Sequence, residues 1–217
     1  MTGYTLYGRN ASPYTRRTAI VMRLLDLPFK QVVVSPFTDL DEIRKVNPLG
    51  RVPVLRLGDG TCLVESACII DHLLGDHDGD HRILPAGGPD RRRDLQLVAL
   101  CQTATDKGVL AGHELLMRPA EKRHAPFLQA RIDQARAAML ALEDRLADRP
   151  LPGGTPSLGE ITAAVTLDFL DGFMPFVLRG LPLPATRSLG ERLEATDSFT
   201  AQAPEARMGL DPAPGLS

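Results

Sequence analysis

Two short stretches near the front of the chain combine residue types that suit the binding of a small peptide. In the first, residues 50–55, a loop enters a strand through Val52-Pro53. Because only proline makes the cis peptide bond cheap, Val52-Pro53 is a candidate cis bond. A cis bond there turns the N–H and C=O of Val52 outward, where an extended peptide can pair with them. In the second stretch, Glu65-Ser66 joins a strand end to a helix start.

Glu65 and Ser66 suit the charged head of a free amino acid. The Glu65 carboxylate attracts an ammonium group, while the Ser66 hydroxyl and the N–H groups of the helix start suit a carboxylate. Together with the backbone of Val52, this pair predicts a pocket for a small peptide whose amino acid end is free.

A further hydroxyl lies in the turn before the first predicted helix, residues 10–15. In a β-α-β unit this turn faces the carboxyl ends of the strands, where ligands bind. A thiolate beside Ser12 would gain from the positive end of the helix dipole and from the Ser12 hydroxyl. A free thiol of pKa about 8.5 must lose roughly two pKa units to ionise at neutral pH, and one charge-assisted hydrogen bond of about 1.5–3 kcal/mol nearly supplies this. The alternative is that Ser12 only caps the helix. Because Val52-Pro53 and Glu65-Ser66 occur in the same predicted domain, we favour the functional interpretation.

The elements that must position these residues follow from hydrophobic periodicity and turn residues. The pattern predicts, in chain order, a strand at 5–7, a helix from 13 to before 28, a strand at 31–34, a helix at 40–46, strands at 54–57 and 62–64, and a helix at 66–74. We expect Ala67, Ile70 and Leu74 to share one side of that last helix. The order predicts a small α/β domain with a mixed sheet.

The rest of the chain reads as a linker followed by helices. Residues 75–89 are rich in glycine and proline, which indicates the linker. A stripe at helical spacing predicts one buried helix face: Leu128, Ile132, Ala135, Met139, Leu142 and Leu146. Ser157 and Glu160 have the spacing of a capping box before an apolar helix. Prolines at 204, 212 and 214 suggest a frayed tail.

Composition narrows the classes of function. The hydrophobic share of 43% and charged share of 24% are ordinary for a globular protein, and the net charge of −2 argues against nucleic-acid binding. No apolar run approaches the ~20 residues of a membrane helix, and the start lacks a signal pattern. The three cysteines form no CxxC, which favours reduced, core-packed thiols in a cytosol. The Asp- and His-rich stretch 76–81 lacks the later glycine and glutamate of a calcium loop, so we expect no metal there.

Three motifs resemble the glutathione transferase superfamily. Residues 12–15 are similar to a serine variant of the Cys-Pro-Tyr-Cys turn of glutaredoxins, which share the thioredoxin-like fold. Residues 47–55 are close to a pattern of many soluble bacterial transferases. Residues 156–162 resemble the helix-start motif of the family's second domain, with Gly159-Glu160 where the family usually has Ala-Asp.

The resemblance implies an α/β plus all-α fold: a thioredoxin-like mixed-sheet domain at 1–76, a linker at 77–89 and a helical domain at 90–217. It also implies glutathione as co-substrate. Val52 would pair with the cysteinyl backbone beside a cis Pro53. The γ-glutamyl head would lie on Glu65 and Ser66. Arg51 would contact the glycine carboxylate, or it would be a solvated surface charge.

The resemblance leaves three choices for the residue that activates the thiol. Ser12 matches classes whose residue directly precedes the proline, Asn10 matches a slightly upstream position, and Tyr7 matches the tyrosine classes. We rank them in that order, because Tyr7 also suits core packing. By the family layout, the second-substrate pocket would be bordered by a helix that carries five polar candidates: Thr103, Asp106, Lys107, His113 and Glu114.

The implied activity is attack of the glutathione thiolate on a small electrophilic, largely apolar substrate. The family also implies a cytoplasmic homodimer, while the net charge and the hydropathy described above predict no nucleic-acid or membrane partner. Alternatives on the same site are a glutathione-dependent isomerase or peroxidase, and a non-catalytic glutathione-binding scaffold or regulator.

Overall fold

A four-stranded mixed sheet forms the centre of the first part of the chain. The computed structural model describes residues 3–148, 154–205, 207 and 209–210. The first elements are β1 (Tyr4–Tyr7), α1 (Pro13–Leu24), β2 (Phe29–Val32), α2 (Leu40–Arg44), β3 (Val54–Arg56), β4 (Cys62–Val64) and α3 (Ser66–His77). The strand order is β2-β1-β3-β4, with β1 parallel to β2 and antiparallel to β3, and with β3 antiparallel to β4.

The second part of the described chain is helical. It contains α4 (Gly88–Met117), a single 3-10 turn (Ala120–Lys122), α5 (Ala125–Ala147), α6 (Leu158–Phe173), α7 (Pro175–Leu178), α8 (Pro184–Glu194) and α9 (Asp197–Thr200). This arrangement confirms the predicted fold class, an α/β domain with a mixed sheet followed by helices.

None of the described helices combines the length and the apolar composition that crossing a membrane requires.

Two local predictions in the helical part are confirmed. All six residues of the α5 stripe are buried, because their spacing places them on the face that packs against neighbouring helices. The capping box of α6 is complete: the Glu160 N–H donates to Ser157 Oγ at 3.2 Å, and the Ser157 N–H donates to Glu160 Oε2 at 2.8 Å.

Three local predictions are wrong in detail. The second strand lies two residues earlier than predicted, because its pairing with β1 runs from Phe29 to Val32. Ile70 and Leu74 lie on the buried face of α3 as expected, together with Ile69 and Leu73, but Ala67 is exposed. Cys68 is exposed and Cys62 is half-buried, so of the three free cysteines only Cys101 is a core residue.

The described residues after α9 make specific contacts, although Pro204 suggested that a frayed tail begins here. Gln202 is 2% exposed, and the N–H of Leu210 donates to the Phe173 carbonyl at 2.9 Å. The buried polar partners of this stretch, and not its own periodicity, hold it in place. Pro212 and Pro214 lie outside the described residues.

A fully buried arginine joins α1 to the helical part. Arg16, 1% exposed, pairs through Nη1 with Asp168 of α6 at 2.9 Å and through Nη2 with Glu194 of α8 at 2.6 Å. Its Nε donates to the Gln202 carbonyl at 2.8 Å. These contacts fix the start of α1 relative to α6, α8 and the stretch after α9.

Candidate functional site

Ser12 lies at the start of α1, where its hydroxyl is available as a hydrogen-bond donor. Its backbone is extended, and its Oγ accepts a long hydrogen bond of 3.4 Å from the Thr15 N–H, as an N-cap does. Pro13 follows as the first residue of the helix, a position that suits its fixed φ. Among the described residues the Ser12 hydroxyl donates to no acceptor, so its O–H can donate to a ligand.

Asn10, two residues earlier, is buried and its side-chain amide is engaged. Its Nδ2 donates to Gln202 Oε1 at 3.2 Å and to the Ala203 carbonyl at 3.4 Å, and its Oδ1 accepts from Gln31 Nε2 at 2.9 Å. Asn10 therefore ties the turn to β2 and to the stretch after α9.

Tyr7 lies on the other face of the sheet from α1. Its neighbour Leu6 is fully buried with the core residues of α1, and side chains alternate along a strand. The Tyr7 hydroxyl accepts a 3.4 Å hydrogen bond from Arg56 of β3. Tyr7 and Ser12 are therefore directed to different surfaces.

The loop before β3 is held by its own side chains. The Val52-Pro53 peptide bond is cis. Asn47 donates from Nδ2 to the Arg51 carbonyl at 2.8 Å and accepts from the Leu49 N–H at 3.0 Å. Gly50 has φ +65°, and a Cβ at that position would lie 2.7 Å from the side chain of Leu40. The loop thus presents the half-buried Val52 in a fixed conformation at the strand entrance.

Glu65 and Ser66 form the junction between β4 and α3. Glu65 has φ +66°, a left-handed conformation that is uncommon outside glycine and that clusters at ligand sites. Its exposed carboxylate pairs with Arg51 Nη1 at 3.2 Å, which joins the two sequence motifs across the site. Ser66 is 2% exposed at the first turn of α3.

Arg17 is a site residue that sequence reasoning missed. Its guanidinium, in a residue only 3% exposed, donates to Ser66 Oγ from Nε at 3.1 Å and from Nη2 at 2.8 Å. Burial lowers the pKa of Arg17, and the charges of Asp106 and Glu65 oppose this, although neither carboxylate is within ion-pair distance of the guanidinium among the described residues. Two adjacent arginines in a short helix read as solvated surface, so no local signal in the sequence identifies this role.

Tyr14 connects the start of α1 to α4. Its hydroxyl makes a short hydrogen bond to Asp106 Oδ1, and burial followed by this carboxylate raises the pKa of Tyr14 above its ordinary value. The charges of Arg51 and Arg17 both lower the pKa of this phenol, against the larger effects of burial and of Asp106. The phenol therefore stays protonated at neutral pH.

One face of α4 borders the same opening. Asp106 meets Tyr14, and His113 meets the ring of Phe37 edge-on with 6.1 Å between ring centres. Leu110 and Met117 share this face by helical spacing and are 39% and 66% exposed. Burial lowers the pKa of His113, so this face carries a neutral imidazole among apolar side chains at neutral pH.

Glu114, beside His113, faces away from this opening. It is 5% exposed and accepts hydrogen bonds from the His124 N–H at 2.8 Å and from Arg118 Nε at 2.9 Å. Its role is to hold the connection between α4 and α5.

The described ranges contain no group of three or more His, Cys, Asp or Glu side chains arranged to hold a metal ion, the 76–81 stretch included.

Two family models match the chain. The model "Glutathione S-transferase, N-terminal domain" matches residues 6–81, and "Glutathione S-transferase, C-terminal domain" matches residues 125–195.

Solved structures agree with these matches. A glutathione S-transferase from Methylobacterium radiotolerans, crystallised with glutathione sulfonate, is 28% identical with a TM-score of 0.85, covering 96% of this chain and 98% of its own. A family member from Pseudomonas fluorescens with bound glutathione is 28% identical with a TM-score of 0.79, covering 94% of this chain and 100% of its own.

The uncharacterized GST-like protein YibF of Escherichia coli is 25% identical over 76% of this chain and 81% of its own. The chain belongs to the glutathione S-transferase family.

Proposed function

We propose that this protein is a glutathione transferase that binds glutathione along the first domain and attacks small electrophiles with its thiolate. The observation that carries the proposal is the buried guanidinium of Arg17 on Ser66 Oγ beside the exposed carboxylate of Glu65. Arg17 forms no ion pair among the described residues, and the exposed Glu65 carboxylate pairs with the exposed Arg51. A buried cation beside an exposed carboxylate suits a zwitterion, the γ-glutamyl head of glutathione. The bound ligands of the two related crystal structures support the same choice.

The remaining groups of glutathione would each contact one of the predicted site residues. Ser66 Oγ accepts two hydrogen bonds from Arg17, so its own proton is free for the ligand carboxylate. The backbone of Val52 beside Pro53 would pair with the cysteinyl residue. Arg51, already paired with Glu65 and 59% exposed in its side chain, would reach the glycine carboxylate.

Ser12 is the favoured thiol-activating group. Its hydroxyl donates to no acceptor among the described residues and lies at the positive end of α1. The amide of Asn10 is fully engaged, and Tyr7 is directed to the opposite face of the sheet. Donation from Ser12 to the sulfur would stabilise the thiolate without a base. The thiolate would then form the S–C bond while the leaving group departs with its electron pair.

The second substrate would lie against the α4 face formed by Asp106, Leu110, His113 and Met117. Exposed apolar side chains beside a neutral imidazole suit an uncharged, largely apolar electrophile. We further propose the domain division at 1–76, 77–89 and 90–217, a homodimer and a cytoplasmic location, all carried over from the family.

Isothermal calorimetry with reduced glutathione tests the proposal. We expect saturable binding to the wild-type protein at millimolar or lower ligand concentration, with much weaker binding of an analogue whose α-amino group is acetylated. The acetylated analogue is the control, because it lacks the ammonium that Glu65 would attract. No heat of binding at millimolar glutathione overturns the proposal.

Turnover then separates the enzyme from its alternatives. Conjugation of a chloronitroaromatic substrate is the expected result. Activity on peroxides alone would indicate a peroxidase, and binding without turnover on either substrate would indicate an isomerase or a binding protein.

A further inference from the structure

The segment after α9 reaches the turn that carries Ser12. We define the C-terminal segment as residues 202–205, 207 and 209–210. Glu205 accepts two hydrogen bonds, one on each carboxylate oxygen: from the Asn10 N–H at 2.8 Å and from the Ala11 N–H at 2.9 Å. Gln202 anchors the chain before it, since it holds both Asn10 and Arg16. The carboxylate is therefore placed on the turn by a fixed stretch of chain.

No cation neutralises this carboxylate within the part of the chain that the structure describes. The charged groups on the surrounding elements are Arg9 of the turn, Arg16 of α1, Asp168 of α6, Glu194 of α8 and Arg207 of the C-terminal segment. Arg16 is matched by Asp168 and Glu194, and Arg207 is matched by Asp168. Arg9 forms no ion pair with Glu205 in the described part of the chain. Glu205 thus places a negative charge on the turn directly before Ser12.

We propose that Glu205 is a positioning residue that restrains ionisation of the glutathione thiol, an inference that rests on the proposed function. Its carboxylate occupies the two N–H donors directly before Ser12, so these donors are lost to any anion at the start of α1. Its charge also disfavours a second negative charge close by. The C-terminal segment thereby limits how far Ser12 and the N-terminus of α1 lower the pKa of the glutathione thiol.

Ultraviolet titration of the bound glutathione thiolate tests this inference. Glu205→Gln removes the charge, and we expect the ionisation constant of the bound thiol to rise about three- to tenfold, which means a lower thiol pKa. The pH profile of turnover should move to lower pH by the same amount. Glu205→Ala frees both N–H groups and should produce at least as large a rise. Glu191→Gln, an exposed carboxylate on α8, is the matched control and should leave the titration unchanged.

An unchanged or less acidic thiol in both Glu205 variants overturns the inference and leaves Glu205 as a tether of the segment. Its failure is distinct from failure of the proposed function. If the wild-type protein binds glutathione and the Glu205 variants titrate alike, only the inference is wrong; if the wild-type protein binds no glutathione, both are wrong.

Discussion

Arg16 and Arg17 are consecutive and both buried, yet within the described part of the chain only Arg16 pairs with carboxylates. Arg16 pairs with Asp168 and Glu194, whereas Arg17 donates to the neutral Ser66 hydroxyl. A buried charge costs stability unless an opposite charge offsets the lost hydration. We therefore expect Arg17 to destabilise the ligand-free protein, a cost that an anionic ligand group would reduce.

Replacement of Arg17 by Met should separate binding from stability. We expect glutathione affinity to fall by about tenfold or more, because a charge-assisted contact of about 1.5–3 kcal/mol is lost. The free energy of unfolding should stay the same or rise, because an uncompensated buried charge is removed. Calorimetry measures the affinity and urea denaturation measures the stability. Unchanged affinity with lower stability would make Arg17 a structural residue.

At the scale of elements, the N-terminus of α6 is held by its own cap and by α4. Asp94 of α4 accepts from the Gly159 N–H at 3.0 Å and makes a short hydrogen bond with the Ser157 hydroxyl. Burial raises the pKa of Asp94, and the bonds from Ser157 and Gly159 oppose this rise. The cap therefore stabilises both the helix end and the charged form of a buried carboxylate.

Ser157→Ala should lower the free energy of unfolding by about 1–2 kcal/mol at neutral pH, the usual cost of a lost N-cap. The loss should be smaller at acid pH. The substitution removes a hydrogen bond to the Asp94 carboxylate and so raises the pKa of Asp94 in the folded state further. A carboxyl group whose pKa is higher in the folded than in the unfolded state lowers the free energy of unfolding only at pH values above its unfolded-state pKa. Urea denaturation at two pH values measures both effects, with Ser188→Ala as the control. Equal losses at both pH values would contradict the role of Asp94.

Elements with a local signal could be predicted from the sequence, and parts of the candidate site could not. The α5 stripe and the α6 capping box depend on residues three or four apart, so their spacing was sufficient. Arg17 and Glu205 acquire their roles from partners far along the chain, Ser66 and the Asn10 turn. No periodicity encodes such contacts. The proposed roles of Ser12, Val52 and Glu65 follow from the chemistry of their residue types and from motif resemblance, and they remain proposals.

At the scale of the whole molecule, Arg16 links both halves of the chain to the candidate site. It connects α1 to α6, to α8 and to Gln202, and Gln202 in turn binds Asn10 in the turn before Ser12. The position of Ser12 thus depends on docking of the helical part.

Arg16→Met should lower the free energy of unfolding by about 3–5 kcal/mol, because removing one partner of a buried ion pair leaves the others uncompensated. The contrast with Arg17→Met, one residue away, is the internal control. Thermal and urea denaturation of the two variants measure it. Equal effects on stability would contradict the assignment of different roles to the two arginines.

The most direct test of the account is the thiol pKa of bound glutathione in Ser12 variants, read from thiolate absorbance. The wild-type protein should lower the thiol pKa by about one to two units from its free value near 8.5, and Ser12→Ala should restore at least about one unit of this. Ser12→Thr, which retains a hydroxyl and a helix cap, should titrate close to the wild type. A Ser12→Ala protein that binds glutathione with the wild-type thiol pKa would contradict activation by Ser12.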